Sequence, residues 1–210
     1  MNNTRTRSFS RRAFATMAAL TAAAGLGLAH VAAHAATDTP RVRLSTNAGV
    51  IVLELDAKAA PATVANFVQY VKDKHYDGTV FHRVIGNFMI QGGGFTPQLQ
   101  QKPTRQAVMH EGAKALANGG PRNTVGTIAM ARTQDPHSAT AQFFINVADN
   151  AFLDYRAATM QGYGYVAFGR VVEGMDVVNA IKSVATGAAG PFPSDVPKSP
   201  VVIQTATLEQ

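Results

Sequence analysis

Apolar and polar residues alternate over residues 42–55 of the chain. The alternation is interrupted at residues 46–49, Thr-Asn-Ala-Gly, which include two residue types common in tight turns. A period of two is typical of half-buried strands, and Asn and Gly favour the short turn that joins them. The pattern therefore predicts a β-hairpin.

A helical period follows the hairpin. Apolar residues recur at i, i+3, i+4 and i+7: Val64, Phe67, Val68 and Val71. Pro61 precedes them, in the position where the first turn of a helix tolerates proline. A shorter apolar face predicts a second helix over residues 175–184.

Short apolar runs predict the remaining strands, at residues 79–85, 127–131, 142–147, 165–171 and 201–208. Residues 96–123 and 191–200 are rich in polar residues, Gly or Pro and are interpreted mainly as loops. Many short strands with two helices indicate one antiparallel, all-β-dominated domain. Closure into a barrel would remove exposed strand edges, but periodicity alone leaves a sandwich equally open.

The first 35 residues have the organisation of an export signal. A basic region ends at Arg12, an Ala-rich apolar stretch covers residues 13–29, and Ala33-His34-Ala35 has the form of a cleavage site. We expect cleavage after Ala35, which leaves a domain of residues 36–210. The apolar stretch is short and contains Thr and Gly, which disfavours a membrane anchor, so we expect no stable membrane association after cleavage.

The segment Ser10-Arg11-Arg12-Ala13-Phe14 resembles the twin-arginine motif of signals that export folded proteins. Paired arginines also occur in general secretory leaders, so both routes stay open. Either route predicts a protein outside the bacterial cytoplasm, in the periplasm.

The net charge of +6 arises largely in the leader, because its four arginines are accompanied by no acidic residue. The other residues include 15 basic and 13 acidic side chains without a long basic block, so the charge does not predict nucleic-acid binding. The chain has no Cys, which excludes disulfides and Cys-ligated metal sites.

Residues 81–95, FHRVIGNFMIQGGGF, place one cation and one amide, Arg83 and Gln91, among large apolar side chains. The stretch lacks the nucleophile or acid–base pair of a hydrolase and the clustered ligands of a metal site. It suits a reaction that makes no bond to a new group. His82 adjoins Arg83, but strand alternation predicts that it lies on the opposite face as a packed structural residue.

A second informative stretch, residues 128–153, contains AQFFINV. Alternation along a strand puts Gln142 and Phe144 on one face and Phe143 and Ile145 on the other. The second pair suits a buried core. The first pair repeats the combination of amide and aromatic that Gln91 forms with its neighbours.

Together these stretches resemble the cyclophilins, the cyclosporin-binding class of peptidyl-prolyl isomerases. The resemblance covers about residues 40–208 and rests on several separate motifs in the family's order. The motifs are Phe81-His82-Arg83-Val84-Ile85, Phe88-Met89, Gln91-Gly92-Gly93, Ala141-Gln142-Phe143-Phe144-Ile145, Phe168-Gly169-Arg170-Val171 and Gly174-Met175-Asp176-Val177-Val178. The chain is most similar to the short periplasmic cyclophilins of bacteria.

The resemblance implies a closed eight-stranded antiparallel β-barrel capped by two α-helices, with an active groove on its outside. It implies isomerisation of X-Pro bonds without cofactor or metal, with Arg83 as the catalytic residue. The implied substrate-binding residues are Phe88, Met89, Gln91, Ala131, Gln142, Phe144, Phe152, Leu153 and Tyr165.

Three positions depart from the family pattern. Phe152 stands where many eukaryotic members have Trp, so we expect weak cyclosporin binding. Tyr165 replaces a histidine of the groove, and Arg132 replaces an asparagine beside Ala131. The last change leaves the backbone of Ala131 in place for its contact and removes the asparagine side chain that the family pattern has beside it.

The expected function is isomerisation that assists the folding of exported proteins. The expected partners are proline-containing peptides and unfolded exported proteins, bound by a monomer. The alternative is a non-catalytic holdase that captures Pro-containing or unfolded segments. A nucleic-acid or polysaccharide-binding barrel would require an exposed basic or aromatic stripe, which the sequence does not display.

Overall fold

The computed structural model describes residues 39–209. The strands in this part of the chain are β1 (Arg41–Thr46), β2 (Gly49–Leu55), β3 (Thr79–Ile85), β4 (Met89–Gly92), β5 (Thr127–Met130), β6 (Phe143–Asn146), β7 (Ala167–Glu173), β8 (Thr186–Ala189), β9 (Phe192–Pro197) and β10 (Val202–Leu208). The helices are α1 (Pro61–Lys72), α2 (Gly112–Ala117) and α3 (Met175–Lys182), with a 3₁₀ turn at Ala151–Leu153.

Eight strands form a closed antiparallel barrel in the order β1-β10-β3-β4-β6-β5-β7-β2. Closure pairs each of these strands on both sides and so removes the exposed edges that an open sheet would have. The structure therefore confirms the expected barrel and decides against the sandwich. The predicted hairpin is β1 with β2, and β3 has the predicted bounds.

The core fills the barrel and includes the buried face of α1. Phe67 of α1 packs against three aromatic rings, with centroid distances of 5.0 Å to Tyr76, 5.5 Å to Phe143 and 5.3 Å to Phe168. Pro61 begins this helix, as predicted. Ala60 at the N-cap makes no side-chain capping bond, but the Glu111 carboxylate accepts hydrogen bonds from the Thr63 amide and hydroxyl at 2.7 and 2.9 Å.

Two segments interpreted as loops contain regular structure. Helix α2 lies within residues 96–123, where the flanking Gly and Pro residues obscure a six-residue helix. Strands β8 and β9 pair as a separate hairpin, although β9 contains two prolines. A two-stranded sheet accommodates them because each strand has a free edge that requires no amide donor.

Predictions about the leader concern residues outside the described range, and they stay predictions. Within residues 39–209, no helix is long and apolar enough to cross a membrane.

Candidate active site

Neighbouring strands align the predicted functional residues in one row across the outside of the barrel. The register pairs Arg83 with Gln91, Gln91 with Phe144, and Phe144 with Ala129. Side chains directly opposite each other on paired strands lie on the same face. The stretches 81–95 and 128–153 therefore form a single surface.

This surface opens into a groove of about 390 Å³. The predicted residues that line it are Arg83, Phe88, Met89, Gln91, Ala131, Gln142, Phe144, Leu153 and Tyr165. Four lining residues were absent from the predicted site: His82, Phe95, Arg132 and Phe192. Phe192 comes from β9, in a segment whose sequence indicated only a loop.

The floor of the groove is apolar and separate from the barrel core. Met89, Phe144 and Leu153 are 2%, 4% and 8% exposed and form a cluster with two alanines. Phe143 and Ile145 lie instead in the main core, as alternation predicted. This floor has the size and polarity of a site for a small apolar ring.

Phe152 does not line the groove. Its side chain is 62% exposed and stacks on Phe88, with ring centroids 5.8 Å apart and planes inclined by 20°. The two rings extend the apolar surface beyond the edge of the groove.

The two predicted amides form a pair. Gln91 Nε2 donates to Gln142 Oε1 at 2.9 Å. The bond uses one donor hydrogen and one acceptor, so Gln91 Oε1 and Gln142 Nε2 retain bonding capacity for a peptide. The arrangement can hold both an N–H and a C=O group of an extended chain.

Two glycines of the GGG sequence allow this packing for different reasons. Gly93 has a φ of +84°, and a Cβ there would meet the Phe143 ring at 2.9 Å. A Cβ on Gly94 would lie 2.5 Å from Gln142 Cγ, closer than real Cβ contacts allow. The absence of a side chain at Gly94 therefore determines where the Gln142 side chain can lie.

Arg83 is 43% exposed at the side of the groove. Its Nε lies 3.7 Å from Asp195 Oδ2 on strand β9. The sequence contained no signal for this ion pair, because 112 positions separate the two residues along the chain.

The prediction that His82 lies on the opposite face from Arg83 is wrong. The pairing of β3 with β4 shifts register between Phe81 and Arg83, so His82 occupies a bulge and lines the groove. The prediction of a packed histidine is correct, since the ring is 3% exposed and lies 4.6 Å from the Phe95 ring. Burial lowers the pKa of His82 to about 4, so the ring is neutral at pH 7.

A network of buried polar side chains supports the groove from behind, and sequence reasoning missed it. Asn150 Nδ2 donates to the Phe88 carbonyl at 2.9 Å and to Asn146 Oδ1 at 2.7 Å. Asn146 in turn donates to Asn123 Oδ1 at 3.2 Å. Asn123 Nδ2 donates to Asp154 Oδ1 at 3.0 Å and to the Tyr165 carbonyl at 3.2 Å. The network thus ties together backbone segments that carry pocket residues.

The Arg132 side chain makes its contacts within the protein. Its Nε donates to the Gly164 carbonyl at 2.8 Å, and its guanidinium lies 4.7 Å from the centre of the Tyr165 ring. Tyr165 packs edge-on against Phe144, with centroids 5.5 Å apart. The two departures from the family pattern therefore contact each other and form one wall of the groove.

Comparison with known proteins agrees with this geometry. The family model described as "Cyclophilin type peptidyl-prolyl cis-trans isomerase/CLD" matches residues 41–208. Peptidyl-prolyl cis-trans isomerase cyp18 of Streptomyces antibioticus is 59% identical over 80% of this chain and 97% of its own length. Peptidyl-prolyl cis-trans isomerase B of Escherichia coli is 52% identical over 80% of this chain and 99% of its own length.

Solved structures show the same architecture. The cyclophilin AquaCyp293 of Hirschia baltica superposes with a TM-score of 0.62 at 28% identity, over 81% of this chain and 73% of that one. A cyclophilin-type isomerase of Cryptosporidium parvum, crystallised in the presence of the dipeptide Ala-Pro, has a TM-score of 0.65 at 23% identity. That second match covers 81% of this chain and 99% of the other, and it supports the fold alone.

Proposed function

The chain belongs to the cyclophilin-type peptidyl-prolyl cis-trans isomerases, which catalyse rotation about X-Pro peptide bonds, and we propose that Arg83 is its catalytic residue. The row that Arg83 forms with Gln91 and Phe144, beside the apolar floor, carries this proposal. It places a cation, an amide and a ring-sized apolar site within one groove.

The chemistry requires stabilisation of a twisted amide. Resonance gives the planar peptide bond a rotation barrier of about 18–20 kcal/mol. As the bond twists, resonance is lost and the proline nitrogen becomes pyramidal and more basic. A donor directed at that nitrogen stabilises the twisted state more than the planar one, and this difference is catalysis. Arg83 suits the role because a guanidinium stays protonated and presents a rigid fork of donors.

The other groove residues hold the two sides of the bond. Met89, Phe144 and Leu153 would receive the proline ring and keep its amide away from water, which strengthens the field of Arg83. Water bound to the carbonyl favours the planar form, so its exclusion also lowers the barrier. Gln91 and Gln142 would hold the peptide backbone while the remaining part rotates.

The test compares Arg83→Ala with wild type in cis-to-trans turnover of a short X-Pro peptide. We expect kcat/KM to fall by at least about 100-fold, as for loss of a donor aimed at a transition state. Arg43→Ala is a matched control, because Arg43 is 41% exposed on a strand, forms an ion pair with Glu209 and does not line the groove. Full activity of a folded Arg83→Ala protein would refute the assignment.

We also propose that the protein acts on exported proteins in the periplasm, on the strength of the leader sequence. N-terminal sequencing of the exported protein should find a start at residue 36. Replacing Arg11 and Arg12 by Lys should block export by the twin-arginine route and spare the general secretory route. If Arg83→Ala still prevents aggregation of an unfolded client as well as wild type, binding without turnover contributes to the role.

A further inference from the structure

The β8–β9 hairpin lies beside β3 and brings Asp195 to the side of the groove. The separation of 3.7 Å between Arg83 Nε and Asp195 Oδ2 corresponds to an ion pair rather than a direct hydrogen bond. Within residues 39–209, Asp195 supplies the one carboxylate within 4 Å of the Arg83 side chain.

The backbone of β9 is irregular where it presents Asp195. The register pairs Gly187 with Val196 and Ala189 with Phe192, so the β9 residues between these pairs outnumber those of β8. Such bulges redirect side chains and recur next to active sites. Asp195 also has a φ of +66°, in the left-handed region that most L residues avoid. Asp is among the residue types that adopt this conformation most readily, so the bulge can present a carboxylate here at little conformational cost.

Packing holds the hairpin on both sides of Asp195. The Phe192 ring lies 5.4 Å from the His82 ring and 5.1 Å from the Phe95 ring. Val196 follows Asp195 and is 6% exposed. Because Phe192 and Val196 are both anchored, the segment between them holds the carboxylate at a defined place relative to β3.

We propose that Asp195 is a positioning residue that restrains the guanidinium of Arg83 during isomerisation. The carboxylate occupies the Nε edge of the guanidinium and leaves the two Nη groups available to the substrate. A partly exposed arginine samples many rotamers, so restraint at one edge raises the fraction aimed at the proline nitrogen. This inference rests on the proposed catalytic role of Arg83.

Three substitutions at position 195 distinguish the effect of the carboxylate from the effect of the backbone conformation. Asp195→Gly removes the side chain but suits the left-handed conformation, whereas Asp195→Ala adds strain. Asp195→Asn keeps the shape and tolerates the same conformation without the charge. Because all three variants lack the charge of the carboxylate, we expect kcat/KM to fall about 2- to 5-fold in each of them, mainly through kcat. Ser194→Ala, at an exposed position of the same strand, should retain wild-type activity.

Two readouts distinguish positioning from general damage to the hairpin. High salt should lower wild-type activity towards that of Asp195→Gly and leave the variant unchanged, because salt screens a partly exposed pair. The NMR signal of the Arg83 Nε–Hε group, assigned by its loss in Arg83→Lys, should exchange more slowly with water in wild type than in Asp195→Asn.

A double-mutant comparison decides whether Asp195 acts through Arg83. In an Arg83→Ala background, which lacks the guanidinium and its charge, Asp195→Gly should have little further effect on kcat/KM. Equal losses in both backgrounds, or unchanged or increased activity of Asp195→Gly alone, would overturn the positioning role. Full activity of Arg83→Ala would instead refute the proposed catalytic residue, so the two failures are distinguishable.

Discussion

Gly94→Ala should damage the active groove although Gly94 is not expected to touch the substrate. The new Cβ would lie 2.5 Å from Gln142 Cγ and 2.7 Å from its Cδ. Ordinary contacts of this kind require about 3.4 Å or more, so the Gln142 side chain must move by roughly 1 Å. Such a movement breaks the 2.9 Å bond from Gln91 to Gln142.

The size of the effect follows from this displacement. A net hydrogen bond contributes about 0.5–1.5 kcal/mol, and about 1.4 kcal/mol corresponds to a tenfold change. We therefore expect kcat/KM for an X-Pro peptide to fall about 3- to 10-fold. Gly94 does not adopt a left-handed φ, so stability should change by less than about 1 kcal/mol in urea unfolding.

Two comparisons test the reasoning. Gly187→Ala is the control, because its Cβ would meet only Lys198 Cε at 3.6 Å, an ordinary contact. Gln142→Ala removes the clashing atoms, so Gly94→Ala should lower activity no further in that background. A similar loss with and without the Gln142 side chain would show that the clash is not the cause.

The remaining predictions concern the asparagine network behind the groove, the protonation of His82 and the exposed ring of Phe152. Asn150→Ala leaves the Phe88 carbonyl and Asn146 Oδ1 without this donor. The free energy of unfolding in urea should therefore fall by about 2–3 kcal/mol, and KM for peptide turnover should rise. Asn179→Ala, at an exposed position, should change neither quantity. Burial lowers the pKa of His82 to about 4. Between about pH 6.5 and 4 the unfolded chain therefore binds a proton at this site and the folded chain does not. As pH falls through that range, the free energy of unfolding should decrease by up to about 3 kcal/mol. His82→Gln should lessen this decrease, and an identical pH profile in the variant would contradict the assignment. Phe152→Trp enlarges the exposed ring that stacks on Phe88, so cyclosporin affinity by calorimetry should rise with little change in peptide turnover. An affinity equal to that of wild type would contradict the expectation that Phe152 weakens cyclosporin binding.

Local patterns predicted several strands of the barrel, including the one that carries Arg83. The bounds of β3 and the pairing of β1 with β2 followed from alternation and turn residues. Alternation also separated Phe144 from Phe143, because successive side chains on a strand point to opposite faces. The same rule gave the wrong face for His82, because a bulge adds one residue to β3 there and shifts the alternation.

The asparagine network could not be predicted from composition or spacing. Asn146 lies within an apolar strand and Asn123 lies within a Gly- and Pro-rich segment. Neither residue belongs to a periodic pattern that would identify it. Their hydrogen bonds join residues 23 positions apart in sequence. Such a pair is recognised only when both partners are placed, because each side chain alone would be interpreted as a turn residue or a surface residue.

Residue types and short-range periods were sufficient to predict the strand pattern and the absence of a thiol nucleophile. The apolar floor residues were predicted through the resemblance to the family's motifs, because their period alone is that of ordinary core residues. Long-range packing closes the sheet, brings Arg83, Gln91 and Phe144 into one row, and places Asp195 beside the Arg83 guanidinium. These features depend on strand register and on a hairpin distant in sequence, and both are set by packing among residues that no local pattern connects.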